Sequence, residues 1–167
     1  MAKYLWKYIR KVYIYFWCVF RRCSCVLCVL VVVGMDAELD ELSVIDVTQC
    51  EDRIVSQWEA LLPTSFRGRM QDKVDELDEL LRPLGMETSL VMIRRANSLA
   101  LYLICMTLAA LMSLRDQWCS RQLRDTVQRL FTLLSGAAVR VKRLRWPLLD
   151  YQHCLEFFSS AQSKLPI

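Results

Sequence analysis

The chain has 167 residues, 54% of them hydrophobic, with a net charge of +4, eight Cys, four Gly, four Pro and one His. That length supports one domain plus an attachment, and so little Gly and Pro leaves few hairpin turns, so an all-α fold is expected. A single His and four isolated glycines leave no Gly-rich phosphate loop and no paired-His metal site, so no catalytic residue, cofactor, metal or small-molecule substrate is expected.

The charge is segregated. Residues 1–35 contain six basic and no acidic groups, residues 36–93 five basic and fourteen acidic, and residues 94–145 ten basic and two acidic. The first block also holds eight aromatic residues and four cysteines. A cationic, aromatic, thiol-rich segment ending in an apolar run has the chemistry of a membrane contact. It divides the chain into an anchor, residues 1–35, and a helical bundle domain, residues 36–167.

Within the anchor, Val12–Met35 is long enough to cross about 30 Å of hydrocarbon, but Arg21 and Arg22 fall near its centre, where each costs roughly 2.5–3.5 kcal/mol. An in-plane amphipathic helix over Tyr4–Phe20 followed by a short apolar dip through Cys23–Gly34 avoids that cost. Trp6, Tyr8, Arg10, Lys11, Trp17, Phe20, Arg21, Arg22, Val31, Val32 and Val33 are the expected anchor residues, with the basic side chains on anionic headgroups and the aromatic ones at the interface. Cys18, Cys23, Cys25 and Cys28 beside the Arg pair are candidate S-acylation sites. The segment lacks the small-residue cleavage site of a signal peptide. It shares its lack of acids, but not its aromatic load, with a mitochondrial presequence, so a mitochondrial membrane is the minor alternative location. Met35 at the composition boundary would allow a soluble form started internally.

The body reads as amphipathic helices. Thr48 to Glu51 has capping-box spacing and opens a helix with Ile54, Trp58 and Leu61 on one face. A second helix carries Met70, Val74, Leu77 and Leu81, with its acids largely opposite, and stops at Pro83 and Gly85. A third, about Ser89–Leu114, is uncharged from Ala96 to Leu114 and serves either as the central helix of a bundle or, in a two-pass alternative, as a second membrane span. A fourth, about Arg115–Ser135, puts Leu123, Val127, Leu130 and Leu134 on one stripe. A short last helix runs from about Leu149 to Ser159. Between the last two lies a basic run in which Arg140, Lys142, Arg143 and Arg145 are candidates for contact with an anionic surface.

The expected architecture is thus a membrane-associated helix followed by about five helices around a central apolar one. The corresponding function is a non-catalytic, membrane-anchored interaction or regulatory protein, facing the cytosol, whose partners are anionic lipid headgroups and an unidentified protein. Nucleic acid is not favoured, because no recognisable nucleic-acid module accompanies the basic run.

Overall fold

A computed structural model describes residues 26–38, 46–61, 71–96 and 98–162. In chain order these form β1 (Val26–Glu38), α1 (Val47–Leu61), α2 (Gln71–Leu81), a 3-10 turn (Arg82–Leu84), β2 (Thr88–Arg95), β3 (Leu99–Cys105), α3 (Leu108–Cys119), α4 (Gln122–Ser135), β4 (Ala138–Arg145) and α5 (Leu148–Gln162). The four strands make one sheet in the order β2-β3-β1-β4, with every neighbouring pair antiparallel. The protein is therefore α/β, which overturns the all-α expectation and with it the helical bundle.

The physical reason lies in the two inner strands. Val26–Val33 and Leu99–Cys105 are continuous apolar runs, and such runs of seven or eight residues have neither a helical nor an alternating signature. They belong to β1 and β3, which have strand neighbours on both sides and apolar side chains on both faces. The expected third helix, about Ser89–Leu114, is instead most of β2, then β3, then the start of α3. Thr107 caps α3 by accepting a hydrogen bond from the Ala110 amide at 3.1 Å, and Leu99–Cys105 pairs with β1 and β2. Residues 98–114 are thus a strand, a cap and part of a helix, and not one continuous helix. Among the described residues no helix is long and apolar enough to cross a membrane.

Where the sequence pattern was periodic, the helices form as expected. α1 buries Ile54 and Trp58, though its start is capped by Asp46, whose carboxylate accepts from the Thr48 amide at 3.3 Å. The expected fourth helix is split by a reversal at Arg121, which adopts left-handed φ of 67°. Its stripe survives, with Leu123, Val127, Leu130 and Leu134 all buried on α4. α5 spans Leu148–Gln162 and buries Phe158.

All five helices gather on one face of the sheet. That face presents Cys28, Leu30 and Val32 from β1, Leu99, Leu101, Leu103 and Cys105 from β3, Ile93 from β2, and Val139, Val141 and Leu144 from β4. Gly34 preserves this sidedness. Its φ of +82° shifts the alternation of β1 by one residue, so Val32 and Met35 both point inward, three positions apart. β4 shifts in step, with Leu144 and Val141 both inward. Without the shift, strict alternation would turn Asp36 into the core.

Candidate interaction surface

The opposite face of the sheet is assembled by register, because directly paired residues on antiparallel strands share a face. One row runs Ser89, Ile104, Leu27; the next Met92, Tyr102, Val29; the next Arg94, Ala100, Val31, Arg145; then Val33 and Arg143. The centre is apolar and three strands wide. Ala100 and Ile104 are only 3% and 6% exposed although they stand apart from the core cluster, whereas Val33 is 43% exposed. Arginines 140, 143 and 145 and Lys142 are all exposed along β4, and Arg140 is opposite Asp36, whose carboxylate lies 3.4 Å from the Lys142 ammonium. This second face is thus an aliphatic and aromatic patch with a cationic margin.

The β4 edge itself is closed. The Val139 amide donates to Thr132 Oγ1 at 3.2 Å and the Val141 amide to Gln128 Oε1 at 3.1 Å, both on α4. Trp118 Nε1 on α3 donates to the Leu144 carbonyl at 3.1 Å. Side chains occupy the backbone groups that a foreign strand would need, which directs any contact to the face and not to this edge.

The expected functional residues fall into three groups. Trp6, Tyr8, Arg10, Lys11, Trp17, Phe20, Arg21, Arg22, Cys18, Cys23 and Cys25 lie outside the described residues. Val31, Val32 and Val33 belong to the middle of β1 and not to an apolar dip; Val32 is core, while Val31 and Val33 are on the second face. Cys28 is a poor acylation site because it is fully buried, with its Sγ 4.0 Å from Cys105 Sγ and 3.9 Å from Cys154 Sγ. Hydrogen bonding with Cys105, then with Cys154, together with burial, pushes the Cys28 thiol far up, so it stays protonated. All three thiols are free, as are buried Cys50 and exposed Cys119.

Three features escaped the sequence reading. Glu51, buried on α1, accepts from Arg95 Nη2 at 2.9 Å and from Ser98 Oγ at 3.0 Å, while Arg95 Nη1 also reaches Asp52. This fastens α1 to the β2–β3 hairpin. The Arg115 guanidinium lies 4.4 Å from the Trp118 and Tyr151 ring centres and 5.5 Å from that of Trp146, joining α3 to α5 by cation–π contact. The Cys28, Cys105 and Cys154 trio joins β1, β3 and α5. Apart from Arg115 on Trp118, three residues along the same helix, these are contacts between residues far apart in sequence, and no local pattern announces them. The alternation of β4 was readable: Val139 and Val141 alternate with Arg140 and Lys142, a strand period and not an unstructured basic run.

Among the described residues no group of His, Cys, Asp and Glu is arranged to hold a metal ion. A cleft of about 290 Å³ between α1, α2 and the end of α4 is lined by Arg53, Gln57, Lys73 and residues 133–136, with no carboxylate or thiol in its wall. Compared with known protein families, characterised proteins and solved structures, the chain matches none.

Proposed function

We propose that this protein is a non-catalytic interaction module that works at the cytosol-facing surface of a membrane. Residues 1–22 supply the attachment to anionic lipid, and the α/β body carries the surface that meets a protein partner. The observation that supports this reading best is the second face of the sheet. It combines a largely half-buried apolar centre, exposed at Val33, with a cationic margin along β4, a composition that suits contact with an acidic surface, whether a partner's or that of anionic headgroups. It also lies on the strand that residues 1–25 lead directly into. Free thiols at Cys28, Cys105 and Cys154 suit a reducing compartment, where neighbouring cysteines stay unpaired.

Flotation with vesicles tests the lipid part. The full chain is expected to float with phosphatidylcholine vesicles that contain phosphatidylserine, less so as salt is raised, and not with phosphatidylcholine alone. Replacing Arg143 and Arg145 together by Gln is expected to weaken binding roughly tenfold, because each basic side chain near the surface contributes separately. Equal flotation with charged and neutral vesicles would defeat the proposal.

A further inference from the structure

We infer that Cys154 and Cys28 form an oxidation site: a hydroperoxide converts them into a disulfide that staples α5 to β1 and leaves Cys105 a thiol. The inference is independent of the membrane reading above.

A single buried cysteine is an ordinary small apolar side chain. Three in contact are different, because they bring a two-electron thiol chemistry into the core. Cys28 Sγ is 3.9 Å from Cys154 Sγ and 4.0 Å from Cys105 Sγ, and all three thiols are free.

Register decides which pair closes. A disulfide needs its sulfurs about 2.05 Å apart and its Cα atoms no more than about 7 Å apart. Cys28 is opposite Leu103 and Cys105 is opposite Val26, so these two cysteines are diagonal neighbours on paired strands. Diagonal positions stand about 7–8 Å apart, and β3 is held at that spacing by ladders on both sides, to β1 and β2. Cys154 is held differently. It belongs to α5, which follows the sheet after Trp146 and Pro147 and packs on it through side chains, with Cys154 Sγ also 3.7 Å from the Leu27 carbonyl oxygen. Such packing yields more readily than a hydrogen-bonded ladder, and about 2 Å of closure joins Cys154 to Cys28.

Access sets the order of events. Cys28 and Cys105 are 0% exposed and Cys154 is 6% exposed. The hydrogen bond from Cys28 draws the Cys154 thiol below its usual pKa, while burial and the neighbouring Cys105 and Asp150 oppose it. Cys154 therefore meets the oxidant first, and as the better nucleophile. With hydrogen peroxide its thiolate breaks the O–O bond and becomes a sulfenic acid, and the departing hydroxide takes up the proton that the thiol released. The Cys28 sulfur then attacks the Cys154 sulfur. An S–S bond forms, the S–O bond breaks, and hydroxide leaves with the Cys28 proton as a second water. Two thiols lose two electrons and two protons, and one peroxide becomes two waters. The bridge closes a loop from residue 28 to residue 154, which constrains most of the unfolded chain.

Hydrogen peroxide added to the full chain in dilute solution tests this, followed by denaturation, alkylation of the remaining thiols and tryptic digestion. Residues 146–164 form a tryptic peptide with Cys154 alone, residues 96–115 one with Cys105 alone, and residues 23–53 one with Cys23, Cys25, Cys28 and Cys50. The expected product is a monomer on a non-reducing gel in which peptide 146–164 is joined to peptide 23–53. Fragment sequencing is expected to place the bond at Cys28, with Cys105 recovered alkylated. A bond from Cys154 to any other cysteine or to a second molecule, or no bond at all, overturns the inference. The same treatment in urea is expected to give this bond in roughly tenfold lower yield, because the fold holds the two sulfurs together; an equal yield also overturns it. The oxidised chain is expected to melt about 5–10 °C above the reduced one and to return on adding dithiothreitol. A midpoint that does not rise overturns the staple.

Discussion

The two faces of one sheet are made from the same residue types and end in different states. On β1, Cys28, Leu30 and Val32 are at most 1% exposed, while their neighbours Leu27, Val29 and Val31 are half-buried and Val33 is 43% exposed. On β3 the contrast is narrower, because both faces are apolar and only Tyr102 is more than slightly exposed. A sheet with one solvated face would show polar residues at alternate positions. Here polar groups on the second face are confined to its margins, at Ser89 and Arg94 on β2, at Asp36 near the end of β1, and along β4. Its centre has the composition of a buried face.

The largest test of this contrast uses neighbours on β3. Leu101→Ala removes a side chain from the helix-covered core and is expected to cost about 2–5 kcal/mol. Tyr102→Ala points the other way and is expected to cost about 1 kcal/mol, the scale of a cross-strand pair. Urea denaturation of both variants measures the difference. Equal losses would mean that the second face is packed as firmly as the first, and the distinction between the two would collapse.

The helical part of the fold was legible because its periodicity is local. The stripes Ile54–Trp58 and Leu123–Leu134 fix which side of α1 and α4 is inside, and both appear as read. The sheet was not legible. Its middle strands are apolar on both faces, so they lack the alternation by which a half-buried strand is recognised, and such apolar runs predict a membrane dip and a central helix equally well. Length was the overlooked clue: runs of seven or eight residues are strand-sized, and Thr107 is a strong cap placed to begin a new helix. Of the candidate surface, the basic positions of β4 are visible in the sequence as a run. The apolar half of that surface is not, since Val29, Tyr102 and Met92 become neighbours only through pairing between distant segments.

A middle-sized test concerns how β1 keeps its two faces separate. Gly34→Ala places a Cβ 3.3 Å from Lys142 Cδ, a flexible side chain that can yield. The cost therefore comes from holding an L-residue at φ +82°, about 1–2 kcal/mol. Thermal unfolding is expected to show that loss with the native circular dichroism spectrum retained. A negligible loss would mean that the alternation of β1 can be reset without a left-handed residue.

The smallest expected effect is a pH signature that only the covered side should carry. Cys50 on α1 is fully buried in the core cluster, and burial pushes its thiol above the usual value, opposed by the Ser135 hydrogen bond and the Arg53 charge and aided by the Glu51 charge. A raised folded-state pKa means that the native chain holds this proton longer than the unfolded chain does. The contribution is therefore complete below the ordinary thiol pKa and is lost as pH rises above it, with a slope of at most about 1.4 kcal/mol per pH unit for one proton. The charged groups of the second face are arginines and Lys142, together with Asp36. Urea midpoints measured from pH 7 to 10 should fall more steeply for the wild-type chain than for Cys50→Ala. Parallel curves would show that Cys50 ionises as freely in the fold as out of it, and the helix-covered face would lose its claim to be the drier of the two.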